Sequence, residues 1–266
     1  MAVKLFVSDI DGTILIPNRK VSARNIAAIK KMVDAGIIVT IATGRMYRAA
    51  LPVAQELGVD VPIITYNGAL IKSAGGEILH AECIPAETVV ELTNFFERHG
   101  WYLQNYSGDN LFYPARNRYT DLYEGAQKIS GMEVGWNGMR GLTENVYKLL
   151  SISAGAEETA ERMAAVRAEF GGRIEATKSH PQFVEISGAG VSKASAVKVL
   201  AKIFGVDRAE VMAIGDSDND LPMLKAAGIS VAMGNGTDEV KNSCTYVTAD
   251  CEADGFAAAV EKYVLK

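Results

Sequence analysis

The apolar runs of this chain are short, and several stop abruptly at polar or glycine-containing clusters. Val3–Ser8 runs into Asp9 and Asp11, Ile37–Ala42 into Thr43-Gly44-Arg45, and Val211–Ile214 into Gly215-Asp216-Ser217-Asp218-Asn219-Asp220. Runs of this length, bounded by turn signals, read as buried strands. Pro62–Tyr66 and Ser230–Met233 read the same way, and Ala69–Ser73 against Glu77–Ala81 across Gly75-Gly76 reads as a hairpin. Helical patterns lie between the strands. Ser22 opens one with Ile26, Ile29 and Val33 on a face and Gly36 as its stop; another passes through Ala54–Leu57, with Pro52 starting or kinking it. Ser192-Lys193 opens a helix over 194–204 with Val197, Leu200, Ala201 and Phe204 on its apolar face and Gly205 at its end, and helices follow through Leu221–Ala226 and at Asp254–Tyr263. Strands alternating with helices predict an α/β fold built on a doubly wound parallel sheet. Such sheets bind ligands beyond the carboxyl ends of their strands, which is where the polar clusters fall.

The middle of the chain follows another pattern. Ile84–Ser187 carries most of the aromatic residues in well under half the length, so it needs a core of its own. Helices are expected at Thr88–Arg98, Tyr119–Lys128 and Glu157–Phe170, and strands at Trp101–Tyr106, Leu111–Tyr113, Val146–Ser153, Arg173–Thr177 and Phe183–Ile186. This is an α+β insert, which divides the chain into 1–83 with 188–266 and a separate 84–187.

On an extended strand Asp9 and Asp11 share a side while Ile10 faces away. Two carboxylates that close repel, so either one pKa rises sharply or a cation sits between them; a metal is the simpler resolution. Gly12 lets the chain turn away tightly. A lone Asp-x-Asp-Gly is better explained as a polar strand end, but three further segments weigh against that. A hydroxyl and exposed backbone N–H groups at a helix start, as expected at Thr43-Gly44, make an anion seat, although an isolated Thr-Gly is more often a helix cap. Lys193 in a first helical turn opposes the helix macrodipole and asks for an anion; alone it would be a solvated lysine. The acids at 216, 218 and 220 need cations, water or hydrogen-bond donors. They do not make a calcium loop, because counting from Asp216 puts Leu221 and Ala227 where an EF-hand needs Gly and Glu, and counting from Asp9 puts Ile14 and Lys20 there. Nucleotide loops fail too: Gly188-Ala-Gly190-Val-Ser-Lys193 has lysine at the third glycine of a dinucleotide fingerprint.

Asp9/Asp11, Thr43, Lys193 and Asp216/Asp220, in that order, resemble the four-motif signature of the haloacid dehalogenase superfamily. The Thr65-Tyr-Asn-Gly-Ala69 segment and the large insert between the second and third motifs are similar to its Cof-type branch, which dephosphorylates sugar phosphates and similar metabolites. Ala194 stands where that branch often has glycine, a departure that leaves the chemistry untouched. The resemblance implies that the insert is a cap that closes over the catalytic pocket and supplies substrate contacts.

The chemistry can also be argued from the residues. Phosphoryl transfer needs an in-line nucleophile, charge neutralisation and a proton source. Asp9 is the expected nucleophile. Asp11 is the expected acid and base, help typically worth about 10²–10⁴ in rate. Mg²⁺ is the expected cofactor, held by Asp9, Asp216 and the backbone carbonyl of Asp11 together with waters, while Asp220 either reaches the metal or holds Lys193. Thr43, Gly44, Lys193 and Asn219 are the expected phosphate seat, with Asn219 also orienting either the lysine or the metal. Arg45, Asn67 and His180 are candidate substrate contacts; Arg116, Arg118, His80 and His99 read as solvated or structural. A dehalogenase needs neither Asp11 nor the acidic fourth motif. A phosphomutase must shield its phosphorylated intermediate from water, and a phospho-accepting regulator has no use for the acid at Asp11. Hydrolysis is therefore the preferred reading.

Composition agrees. The chain has 266 residues, is 48% hydrophobic and carries a net charge of −5 without basic runs, so there is no nucleic-acid footprint. Cys83, Cys244 and Cys251 have no metal spacing and are odd in number, which points to free thiols in a reducing cytoplasm. No apolar stretch is long enough to span a membrane. The expected partner is a small phosphorylated metabolite, with the protein a monomer or homodimer.

Overall fold

A computed structural model describes residues 2–16 and 20–265, and the chain divides into two units. The first comprises residues 1–44, 50–80 and 192–266; the second comprises 45–49 and 81–191.

The first unit opens with β1 (Leu5–Ser8), α1 (Ala23–Asp34), β2 (Ile38–Ile41), α2 (Tyr47–Glu56, its first residues belonging to the second unit) and a small sheet of β3 (Ile63–Thr65), β4 (Leu70–Lys72) and β5 (Ile78–Ala81). Ser22 caps α1 by accepting from the Asn25 amide. The buried stripe of α1 is Asn25, Ala28, Ile29 and Met32, not the expected face through Val33, which is 47% exposed. The stripe is rotated because Asn25 is tied inward: its side chain donates to the Ile14 carbonyl and accepts from the Ala257 amide. Pro52 lies inside α2 instead of starting it, so the helix forgoes the bond that an amide there makes to the carbonyl of Arg48.

The second unit contains α3 (Ala86–Arg98), β6 (Gln104–Ser107), β7 (Asn110–Tyr113), α4 (Arg118–Gln127), β8 (Met132–Glu133), α5 (Gly135–Gly141), β9 (Val146–Ile152), α6 (Ala156–Phe170), β10 (Ile174–Thr177) and β11 (Phe183–Gly188). Its six strands form one sheet in the order β10-β11-β9-β6-β7-β8. Leu103, Leu149, Val184 and Ile186 pack with Val89, Leu92 and Phe96 of α3, Met139 of α5 and Val166 of α6 into a core confined to this unit. The helix α5 was not expected from the sequence, because glycines at 135, 138 and 141 lower its propensity; burial of Met139 and packing of Trp136 hold it.

The chain then returns to the first unit through α7 (Lys193–Phe204), β12 (Val211–Gly215), α8 (Leu221–Ala226), β13 (Ile229–Ala232), α9 (Asp238–Ser243), β14 (Tyr246–Val247) and α10 (Gly255–Tyr263). The main sheet has the order β14-β13-β12-β1-β2 with every pairing parallel. Both faces are covered, as a parallel sheet requires. Leu5 and Val7 pack with Val197, Leu200, Met223 and Leu224 on one face, while Phe6 meets Phe256 of α10 edge-on at 5.7 Å on the other. From β1 the chain crosses to β2 on one side, and it comes back at β12 on the other. The reversal puts a crevice at the carboxyl ends of β1 and β12.

Candidate active site

Asp9 lies one residue past β1, its amide donating to the Ile214 carbonyl of β12 at 3.1 Å. The extended geometry used to pair Asp9 with Asp11 stops at Ser8. Beyond it the chain turns, with the amides of Thr13, Ile14 and Leu15 all donating to the Ile10 carbonyl and Gly12 at φ 79°. A Cβ on Gly12 would lie 2.7 Å from a carboxylate oxygen of Asp216, so only glycine permits this approach. The carboxylates that come together are Asp9, Asp216 and Asp220, each offering an oxygen within 4.8 Å of the others. Asp11 lies outside that group, partly buried and bridged through its backbone to Leu15.

Lys193 enters from α7. Ser192 caps the helix by accepting from the Ser195 amide, and the Ser195 hydroxyl accepts from the Ser192 amide in return. That cap sets Lys193 as the first helical residue, fully buried, with Nζ 2.6 Å from Asp9 Oδ1 and 2.6 Å from Asp220 Oδ1. Burial pushes the ammonium down, but the carboxylates of Asp220 and Asp9 more than reverse this and hold it above its ordinary value. The other oxygen of Asp220 accepts the amides of Asp216 and Ser217, both at 3.0 Å. Asp220 thus fixes the lysine with one oxygen and the loop after β12 with the other.

Asp216 is held by hydroxyls: Thr13 donates to Oδ1 and Ser217 to Oδ2, each at 3.0 Å. Burial raises its pKa to about 7 and the charge of Asp220 adds to the rise, against the pull of Thr13, Ser217 and Lys193. Asp9 is also pushed well up, first by burial; Lys193 opposes this, and Asp220, Asp216 and Asp11 reinforce it. Three carboxylates around one ammonium leave a surplus of negative charge in a buried place. All donors are hard oxygens, and the excess is one that a divalent cation such as Mg²⁺ removes, so the residues fit that ion.

Thr43 and Gly44 follow β2. Thr43 is buried, its amide donating to the Ile64 carbonyl and its carbonyl accepting from the Asn67 amide. Asn67 and Asn219 are both buried and joined, Asn219 Nδ2 donating to Asn67 Oδ1 at 3.0 Å. Arg45 and His180 belong to the second unit. There the Tyr123 phenol, pushed up by burial, is partly pulled back by the charges of Lys148 and Arg45. The His180 ring accepts from the Gln182 amide at 3.2 Å and is held below its ordinary pKa by burial. Arg116 pairs with Asp121 and Glu124. His99 bonds the Phe95 carbonyl and stacks on Trp101.

Sequence reading missed three residues that shape the crevice. Thr13 and Ser217 orient Asp216; Asn235 donates to the Gly12 carbonyl and accepts from the Cys251 amide, joining three loops. The hydroxyls flanking the two acidic motifs were a visible signal. Asn235 gave none, because its partners are distant in the chain.

A family model of haloacid dehalogenase-like hydrolases matches residues 6–260. A 5-amino-6-(5-phospho-D-ribitylamino)uracil phosphatase of Bacillus subtilis is 30% identical, covering 98% of each chain. An HMP-PP phosphatase of Serratia proteamaculans is 27% identical over 98% of this chain and 95% of its own. Among solved structures, a haloacid dehalogenase-like hydrolase from Bacteroides thetaiotaomicron superposes with a TM-score of 0.86 at 29% identity, covering 98% of this chain and 99% of that one. A sugar phosphatase of HAD subclass IIB gives 0.86 at 25% identity with the same coverage. With the parallel sheet, the inserted α+β unit and the convergence of Asp9, Lys193, Asp216 and Asp220, these likenesses identify the chain as a member of the haloacid dehalogenase-like hydrolases, a phosphoric monoester hydrolase of the Cof type.

Proposed function

We propose that this protein is a Mg²⁺-dependent phosphatase that hydrolyses phosphate monoesters of small metabolites, sugar phosphates in particular, through a phosphorylated Asp9. The observation that carries the reading is the fully buried Lys193 ammonium, 2.6 Å from both Asp9 and Asp220, with Asp216 in the same cluster. Relatives named for phosphoribitylaminouracil and HMP-PP support small phosphorylated substrates as the class.

Asp9 attacks phosphorus with one carboxylate oxygen, forming the acyl-phosphate bond as the ester P–O bond breaks. Asp11 gives its proton to the departing oxygen. It then takes a proton from the water that attacks the same phosphorus, releasing inorganic phosphate and restoring the Asp9 carboxylate. Asp9, Asp216 and the backbone carbonyl of Asp11 would hold Mg²⁺, which when bound would supply the positive charge that lets a carboxylate approach a phosphate dianion. Lys193 steadies Asp9 and meets the non-bridging oxygens together with Thr43 and Gly44. Asp220 keeps Lys193 charged and the Asp216 loop in place. Arg45 and His180 remain candidates for leaving-group contacts.

A panel of phosphorylated metabolites assayed for phosphate release with Mg²⁺ and with EDTA tests the reading. Release that requires Mg²⁺ and disappears in a folded Asp9→Asn variant is the expected outcome. Full release in EDTA, or near-normal turnover by Asp9→Asn, overturns it.

A further inference from the structure

Three consecutive residues between β3 and β4 occupy the left-handed region: Tyr66 at φ 53°, Asn67 at φ 57° and Gly68 at φ 109°. For residues other than glycine this backbone costs on the order of 1–3 kcal/mol, and it persists where the surroundings dictate it. Here they do. The Asn67 amide donates to the Thr43 carbonyl at 3.0 Å, and its side-chain oxygen accepts from Asn219 at 3.0 Å. Next to it, Gly68 presses its bare Cα against the first turn of α7, where a Cβ would lie 2.1 Å from the Ser192 carbonyl oxygen. This one turn therefore touches the segment that carries Thr43, the segment that carries Lys193 and the helical turn Asp218–Asp220 that contains Asn219.

Glycine at 67 would meet the backbone demand at lower cost. What asparagine adds is its carboxamide, and that group, on a residue only 3% exposed, is joined to Asn219. The Asp218–Asp220 turn ends in the carboxylate that holds Lys193 and the amides of Asp216 and Ser217. We infer that Asn67 is a positioning residue: through Asn219 it locks the acidic loop against the Thr43 segment, so that the phosphate seat and the carboxylate cluster keep one register during phosphoryl transfer. Loosening the joint misplaces groups that must be aligned to within a fraction of an ångström, and such errors cost up to about 100-fold in rate.

The inference rests on the phosphatase reading, and the test separates the two. Steady-state kinetics on p-nitrophenyl phosphate with Mg²⁺ are compared for wild type, Asn67→Gly, Asn219→Ala and the double variant, alongside thermal unfolding. Glycine keeps the backbone conformation, so the fold is retained while the joint to Asn219 is lost. The expected result is a fall in kcat of about 10- to 100-fold in each single variant, KM shifting less than about threefold, and no further loss in the double. The side-chain amide protons of Asn219, identified by NMR as the pair absent from Asn219→Ala, are expected to be shielded from exchange in wild type and to exchange faster in Asn67→Gly. A purely structural role moves the unfolding temperature but leaves kcat of the folded protein unchanged. Wild-type turnover with full kcat in Asn67→Gly, or single losses that multiply in the double variant, overturns the inference alone. A wild type inert toward every phosphate ester overturns the phosphatase reading and this inference with it.

Discussion

A lysine without solvent exposure keeps its charge only where anions outweigh the cost of burial. Lys193 has two such anions, and Asp220 is itself tied by amides, so the ammonium cannot drift without disturbing the loop that carries Asp216. Asp216 shows the opposite imbalance, with a pKa raised by burial to about 7 from an ordinary 3.8. Between these values the folded state holds a proton that the unfolded state has released. Its contribution to stability is therefore complete at acid pH and is lost as pH climbs through about 7. In metal-free protein, thermal unfolding followed at pH 5.5 and pH 8 is expected to show a decline toward pH 8 that flattens in Asp216→Asn. Adding Mg²⁺ at pH 8 is expected to restore stability, since the cation stands in for the lost proton. A decline equally steep in Asp216→Asn contradicts the assignment.

At the level of elements, the strand ends do most of the positioning. β1 and β12 are neighbours in parallel register, so residues that follow them, such as Thr13 and Asp216, meet although 203 positions separate them. The turn through Gly68 then brings the start of α7 to the same place. Gly68→Ala combines a left-handed φ with a clash against backbone, and should cost about 3 kcal/mol in urea denaturation. It should also lower the rate per folded molecule, because the clash falls on the turn that begins with Lys193; an unchanged rate contradicts that coupling. Much of this was legible beforehand. Apolar runs ending in acids gave β1 and β12, and a lysine at a helix start announced a need for anions that Asp9 and Asp220 meet. The turn that carries Asp11 was not legible, because alternation holds only while the strand lasts and the chain turns after Ser8. Nor was the Asn67–Asn219 bond, which joins residues with no shared local pattern. The two-residue strands β8 and β14 were missed because they are too short and too exposed to show a period.

The chain divides into two units, and among the described residues each has apolar packing of its own, one around a parallel sheet and one on the β6–β11 sheet. The second unit is not uniformly apolar inside. Lys148 and Glu185 form a buried ion pair at 2.9 Å on adjacent strands. Removing Lys148 takes an ion-pair partner from a buried carboxylate, so Lys148→Ala should cost about 3–5 kcal/mol, whereas replacing both with apolar residues of similar size should cost much less. Urea titrations that find Lys148→Ala within about 1 kcal/mol of wild type contradict this. The proposed function, however, turns on Asp9 taking the phosphoryl group, and that proposal is most directly tested by slowing the second step. In Asp11→Asn, p-nitrophenyl phosphate has a leaving group that needs little protonation, so the first transfer proceeds while hydrolysis stalls. The account predicts a burst of about one nitrophenolate per protein molecule, with borohydride reducing the trapped acyl phosphate at position 9 to homoserine, as read by peptide mass spectrometry. Steady turnover without a burst, or a modified residue anywhere but position 9, contradicts it.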